Sequence, residues 1–309
     1  MNLEENKNCR RDIREFNVPI PWGHIAVKVW GIENDPHVIV FHGRMDNAGS
    51  FDNLIPLLPN HFYYICVDLP GHGKSSHFPP HLPIHSEDFL MPCLLLVKYF
   101  KKEKYIFMGH SYGGQIAFLF SSVYPQFVEK LVTLDVLPLY TIETNKTVEY
   151  LRGKIEKVVK IQEKLSTGQP PSYTYEEALQ RFCNTRYFGE TLFKEAAEPM
   201  LKRSLIEKGD GSYYFSTDQR MKAYINPLHD MRYFIECNKL NPISVPVLII
   251  FAKLNDLPRK RFARTLEQLQ KNKNVTVLYV DGAHDVHNNY PQRVARYICQ
   301  FLLLQNAKL

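Results

Sequence analysis

The chain reads as an α/β protein, with a mostly parallel central sheet flanked by helices and a helical lid inserted into it. Three observations predict this. Short, nearly all-apolar runs alternate with amphipathic stretches through the first 137 residues. That alternation breaks for about 100 residues and then resumes to the end of the chain. The apolar runs are too continuous for strands with one wet face, so each is expected to be buried on both sides, as parallel strands under helices are. The domain plan is therefore 1–137 as the first part of the core, 138–240 as the lid, and 241–309 as the second part.

Taken in order, residues 25–30, 37–41 (HVIVF) and 62–67 (FYYICV) have strand character. Residues 51–58 between them are amphipathic and helix-like. Residues 86–101 have helical spacing, with Pro92 expected to bend or shorten the helix. Strand 105–108, helix 113–124 and strand 130–134 complete the first part. In the lid, 148–165 is a charged helix, and turn chemistry stands at Gly168-Gln169-Pro170-Pro171 and Gly209-Asp210-Gly211. The second part reads strand 245–251, helix 262–270, strand 275–280 and helix 294–304.

With 309 residues, 45% hydrophobic and 23% charged, the composition excludes a disordered, collagenous or coiled-coil chain. Apolar runs such as 245–252 are too short for a transmembrane segment. The polar first 14 residues do not read as a signal peptide. A net charge of +6 is mild, and the basic runs 98–104 and 259–264 read as solvated helix faces, so no nucleic-acid partner is expected. Six cysteines without a CxxC pair fit a reducing compartment. The last three residues, Ala307, Lys308 and Leu309, are close to the S-K-L address. They predict the peroxisomal import receptor as a partner and the peroxisome as location, with the cytoplasm as the alternative.

The most specific chemical signal is Gly109-His110-Ser111-Tyr112-Gly113, between a predicted strand and a predicted helix. G-x-S-x-G in that setting is a nucleophile elbow: Gly109 and Gly113 permit the tight turn, and Ser111 is raised above the sheet at the helix N-terminus. A serine hydroxyl needs a base. His284, on the loop after the last strand and preceded by Gly282, is that base, with His287 as a competitor. Two acids fit the order serine, acid, histidine: Asp135, ending the strand after the nucleophile helix, and Asp256, beyond the next sheet strand. Irregular spacing near Asp256, with Asn255 where the acid would usually fall, favours Asp135 and leaves Asp256 as the alternative. The backbone N–H groups of Tyr112 and Arg44 are the expected oxyanion donors, Arg44 following His42-Gly43 after the second buried strand.

Two patterns are dismissed. Residues 68–75 (DLPGHGKS) end like a phosphate-binding loop, but Asp68 stands where its first glycine belongs. His72, His77, His81 and His85 have metal-like spacing, but Pro79, Pro80 and Pro83 prevent a common helical face. No metal and no cofactor is expected.

These residues give the chain a resemblance to the α/β-hydrolase superfamily, and within it to the serine hydrolase-like protein family. The matching segments are residues 18–26, His42-Gly43 with Asp46-Asn47-Ala48, residues 50–59, Gly71-His72-Gly73, the elbow 109–114, residues 130–135, Asp218-Gln219-Arg220 and residues 282–287. The match is specific in the core and thin across the lid. Arg44 departs from it, standing where an aromatic usually follows the His-Gly pair. The resemblance implies a lidded α/β-hydrolase fold and a serine hydrolase with peroxisomal associations. Relatives with dehalogenase or epoxide hydrolase chemistry carry an aspartate nucleophile, which Ser111 argues against.

The expected reaction is hydrolysis of an ester-type acyl substrate, a small molecule, through an acyl-enzyme on Ser111. Lid aromatics such as Tyr173, Tyr187, Phe188 and Tyr224 suggest an apolar acyl or aromatic substrate. The alternatives are an acyl-CoA thioesterase, suggested by the tail and the basic run 259–264, and a non-catalytic small-molecule binder on a hydrolase fold.

Overall fold

The computed structural model describes residues 12–137, 141–186, 189–255 and 263–304. Asp256, Tyr187, Phe188, the basic residues 259–262 and the C-terminal Ala307, Lys308 and Leu309 lie outside the described residues.

Along the chain the elements are β1 (Ile13–Ile20), β2 (Gly23–Trp30), β3 (His37–Phe41), β4 (Tyr63–Val67), α1 (Leu90–Phe100), β5 (Tyr105–His110), α2 (Tyr112–Val123) and β6 (Val128–Leu134). The inserted stretch comes next, with α3 (Thr147–Thr167), α4 (Tyr175–Asn184), α5 (Lys194–Ser204) and the small hairpin β7 (Leu205–Glu207) and β8 (Tyr213–Phe215). The chain closes with α6 (Met231–Leu240), β9 (Val247–Ala252), α7 (Ala263–Gln270), β10 (Val275–Val280) and α8 (Gln292–Leu303). One eight-stranded sheet has the order β1-β2-β4-β3-β5-β6-β9-β10. The β1–β2 and β2–β4 pairs are antiparallel and every other pair is parallel.

Alternation along each strand divides the core in two. Ile39, Phe41, Ile65, Phe107, Leu131 and Ile249 point to the face covered by α1, α2 and α7. Val38, Val40, Tyr64, Ile106, Met108, Val132, Leu248 and Ile250 point to the other, which α8 covers. Both faces are dry, as the continuous apolar runs require. Phe234 of α6 belongs to the first cluster beside Leu266 and Leu269, so α6 packs against the core.

Three local expectations are corrected. Residues 51–58 form no α-helix: the stretch breaks into single turns at Ala48–Phe51 and Ile55–Leu57, because Asn47 caps the first while Pro56 and Pro59 keep the second from extending. Pro92 leaves α1 unbent, but the helix is shorter than the 86–101 pattern, starting at Leu90 after a separate 3₁₀ turn at Ser86–Phe89. The proline lies in the first turn, where its missing N–H has no intrahelical acceptor to lose. β1 is an additional strand that the sequence pattern hides, because the face that buries Val18 and Ile20 begins with the exposed Arg14 and the opposite face begins with the apolar Ile13, so no clean alternation shows.

The insertion is fixed to the core by buried polar contacts from α5. Asn47 Nδ2 donates to Met200 O at 2.8 Å and to Ser204 Oγ at 2.7 Å. A Cβ at Gly49 would lie 2.7 Å from the Pro199 carbonyl, so only glycine admits the helix this closely. The Arg203 guanidinium donates to Asp68 at 2.7 Å and to Glu15 at 2.6 Å. Asp68, fully buried, also accepts from Ala48 N and Lys74 N at 2.8 and 2.9 Å. The 68–75 segment is thus a pin between core and insertion.

Removing one partner of a buried ion pair leaves a charge without compensation, at a cost of roughly 3–5 kcal/mol. Arg203→Met is therefore expected to lower the unfolding free energy by about that amount in urea denaturation. Arg203→Lys should recover only part of it, since an ammonium cannot fork onto two carboxylates.

Candidate active site

The site lies beyond the C-terminal ends of the parallel strands. Ser111 joins β5 to α2 with φ 50° and ψ −121°, a left-handed backbone that a non-glycine residue adopts only when its surroundings enforce it. The enforcement is visible. Ser111 N donates to Leu134 O at 3.0 Å, and Gly114 N donates to Ser111 O at 2.9 Å. A Cβ on Gly109 would sit 2.5 Å from the Gly113 carbonyl, and one on Gly113 would sit 2.4 Å from Phe41 O and 2.5 Å from His42 O. The same closeness seats the first turn of α2, with Tyr112 at its head, on the end of β3, from which the loop to Arg44 departs.

His284 comes from the loop after β10. Its Nε2 is 3.0 Å from Ser111 Oγ, and its Nδ1 is 2.7 Å from Asp135 Oδ2. Asp135 directly follows β6 and is 4% exposed. Its other oxygen accepts from Ala252 N at 2.8 Å, and Oδ2 also accepts from Asn255 Nδ2 at 2.6 Å. The position at which sequence spacing would put an acid thus carries an amide that donates to Asp135. Asp256, the alternative acid, lies outside the described residues.

His287 is placed elsewhere. Its Nε2 lies 2.9 Å from Ser50 Oγ, its ring centre lies 4.0 Å from that of His110 with the planes tilted by 36°, and burial pushes its imidazole down to about 3. Of the aromatics singled out in the insertion, Tyr173 packs on Phe215 within the insertion's own apolar cluster, 5.7 Å between rings. Tyr224 instead meets Tyr112, the residue after the serine, at 4.7 Å. Among the described residues, the group close enough to share an ion is His110, Asp285 and His287, not the spaced histidines 72–85.

Two residues that sequence reasoning missed hold the histidine loop. Arg186 spans Asp46, on the loop after β3, and Asp285, beside His284, with 2.6 Å contacts to each. Although burial pushes Asp285 up, the guanidinium outweighs it and holds the carboxyl down to about 2. Glu190 accepts from the backbone N–H of His284 and, at 3.1 Å, from that of Asp285. Neither residue belongs to a motif; they are isolated charges in the insertion, and only the folded chain brings them to the site.

Comparison with known proteins identifies the family and the fold. A family model described as the alpha/beta hydrolase fold matches residues 36–188. The chain is 31% identical to serine hydrolase-like protein 2 of Homo sapiens, covering 94% of each chain. It is 32% identical to the serine hydrolase-like protein of Mus musculus, covering 93% of this chain and 95% of that one. This chain belongs to the serine hydrolase-like family of α/β-hydrolases. Among solved structures, a hypothetical protein from Pseudomonas aeruginosa PAO1 superimposes with a TM-score of 0.81 at 27% identity, over 94% of this chain and 99% of that one. The eight-stranded, mostly parallel sheet is therefore that of an α/β-hydrolase fold.

The charge state of His284 is set by opposing effects. Burial disfavours the imidazolium, but the hydrogen bond and charge of Asp135, helped by Asp285 and Glu190, outweigh it and raise the group above its ordinary value. A histidine with a raised folded value stabilises the fold below its unfolded value of about 6.5, and that increment is lost as pH rises through the folded value. NMR titration of His284 should give a midpoint above about 6.5. Asp135→Asn, which removes the nearest negative charge and leaves the burial, should move the midpoint down.

Proposed function

We propose that the protein is a serine hydrolase that cleaves carboxylic esters through an acyl-enzyme. The observation that carries this reading is the unbroken contact chain from Ser111 Oγ to His284 Nε2 at 3.0 Å and from His284 Nδ1 to Asp135 at 2.7 Å. Distances in that range are those of a nucleophile in hydrogen-bond reach of its base, with the base oriented by a third group.

In the proposed reaction, Ser111 Oγ attacks the ester carbonyl carbon as its proton passes to His284 Nε2. Asp135 holds the Nδ1–H tautomer and stabilises the imidazolium that forms. The negative charge on the former carbonyl oxygen is met by the N–H groups of Tyr112 and Arg44. What supports the first donor is its place at the head of α2, where backbone N–H groups lack intrahelical acceptors. What supports the second is the contact of the α2 first turn with the end of β3. Collapse of the tetrahedral species expels the alcohol, which takes the proton from His284. A water molecule, deprotonated by the same nitrogen, then attacks the acyl carbon and frees the acid and Ser111.

Labelling of purified protein with a fluorophosphonate, alongside hydrolysis of 4-nitrophenyl acetate, tests this. Wild type should react with the probe and turn over the ester, and Ser111→Ala should do neither, losing about 10⁴-fold or more in kcat. A folded wild type that takes no label and releases no nitrophenol contradicts the proposal.

A further inference from the structure

The insertion and the loop after β3 bring two cations to one tyrosine that packs on Tyr112. The guanidinium carbon of Arg44 lies 5.4 Å from the centre of the Tyr224 ring. The Lys154 Nζ, from α3, lies 5.1 Å from the same centre and 5.3 Å from that of Tyr150. Tyr224 in turn is 4.7 Å from Tyr112, which directly follows Ser111. The cations therefore flank the ring that adjoins the elbow, one carried by the core and one by the insertion.

The lysine is the member of the pair that the fold leaves uncompensated. Lys154 is half-buried, and no carboxylate among the described residues forms an ion pair with it. Its charged neighbours are Arg44 and Lys157, both of the same sign. Burial, with those two cations, pushes the Lys154 ammonium down to about 8, so at neutral pH it remains mostly charged. Tyrosine faces compensate such a cation only in part, by roughly 0.5–2 kcal/mol. A partly desolvated ammonium within the field of a guanidinium costs the folded protein free energy, and an anion that reaches it would recover part of that cost.

We infer that the site takes esters carrying a carboxylate, and that Lys154 and Arg44 form the subsite that binds this second group while Ser111 addresses the ester carbonyl. This rests on the hydrolase reading above and names the substrate class for it. The anion is recognised at the junction of insertion and core, so it contributes to closing the insertion over the acyl group as well as to affinity. An apolar substrate, which the aromatic content of the insertion alone would suggest, leaves the Lys154 ammonium without an opposite charge.

Two measurements test the subsite. The first compares kcat/KM for esters matched in size but differing in charge: monomethyl glutarate against methyl 5-methylhexanoate for a carboxylate on the acyl side, and acetoxyacetate against isobutyl acetate for one on the alcohol side. The anionic member of one pair should be preferred by about 10-fold or more, the size of one charge-assisted contact. Lys154→Gln should erase most of that ratio, and Lys154→Arg should keep it. The second measures glutarate binding to Ser111→Ala by calorimetry, with and without Lys154→Gln, a readout that needs no turnover. Glutarate binding that Lys154→Gln weakens about 10-fold supports the subsite even if no ester is cleaved, in which case only the hydrolase reading falls. Turnover of neutral and anionic esters alike, with no change of ratio in Lys154→Gln and no glutarate binding, overturns the subsite and leaves the hydrolase reading standing.

Discussion

The carboxylate of Asp135 is the point on which the site depends. It accepts hydrogen bonds from the backbone of β9, from the Asn255 amide and from His284. In doing so it ties the ends of β6, β9 and β10 together across 149 residues of sequence. A buried carboxylate is tolerated only when it is fully partnered, and here the partners are the elements that must stay in register for the imidazole to face Ser111. Satisfying one buried charge and orienting one base are the same structural act. Asp135 itself has φ 48°, so the backbone turns sharply there to aim the side chain across the sheet end instead of continuing the strand.

Around that point the insertion acts as a second frame. Arg203 and Asn47 fix α5 to the core on one side of the site, and Arg186 and Glu190 hold the loop that carries His284 on the other. Arg186 is bonded at once to the loop after β3 and to the loop after β10, which are far apart in the sheet order. Loss of the insertion's docking would therefore release both the loop after β3 and the loop that carries His284. The cost of leaving Asp46 and Asp285 buried without their guanidinium keeps the arrangement closed. With Lys154 on α3 the insertion also places a charge against the Tyr224 ring, which packs on Tyr112.

Much of the core was legible because the signals are local and periodic. Strands β2 to β6, β9 and β10 appear as apolar runs, and the elbow is readable because glycine is required wherever another backbone comes within van der Waals contact, as at Gly109 and Gly113. Ser111 and His284 follow from their places after β5 and β10. The carboxylate that meets His284 was legible only as a choice, because both aspartates satisfy chain order, and Asn255 becomes a meaningful signal once its amide is seen to donate to Asp135. The short hairpin β7–β8 announced itself only through the turn at Gly209 to Gly211, since three-residue strands are too short to show alternation. Arg186 and Glu190 had no signal at all. A single charge in a polar insertion looks the same whether it faces water or spans two buried carboxylates, and only tertiary structure separates the cases.

The most direct test of the central claim exchanges the acid for its neighbour. Rates of fluorophosphonate labelling are compared for wild type, Asp135→Asn, Asp256→Asn and the double variant Asp135→Asn with Asn255→Asp. Asp135→Asn should nearly abolish labelling and Asp256→Asn should not. The double variant should recover part of the rate, because residue 255 already stands 3.4 Å from His284 Nδ1. Full labelling of Asp135→Asn together with loss in Asp256→Asn would contradict this assignment and move the acid to the loop after β9.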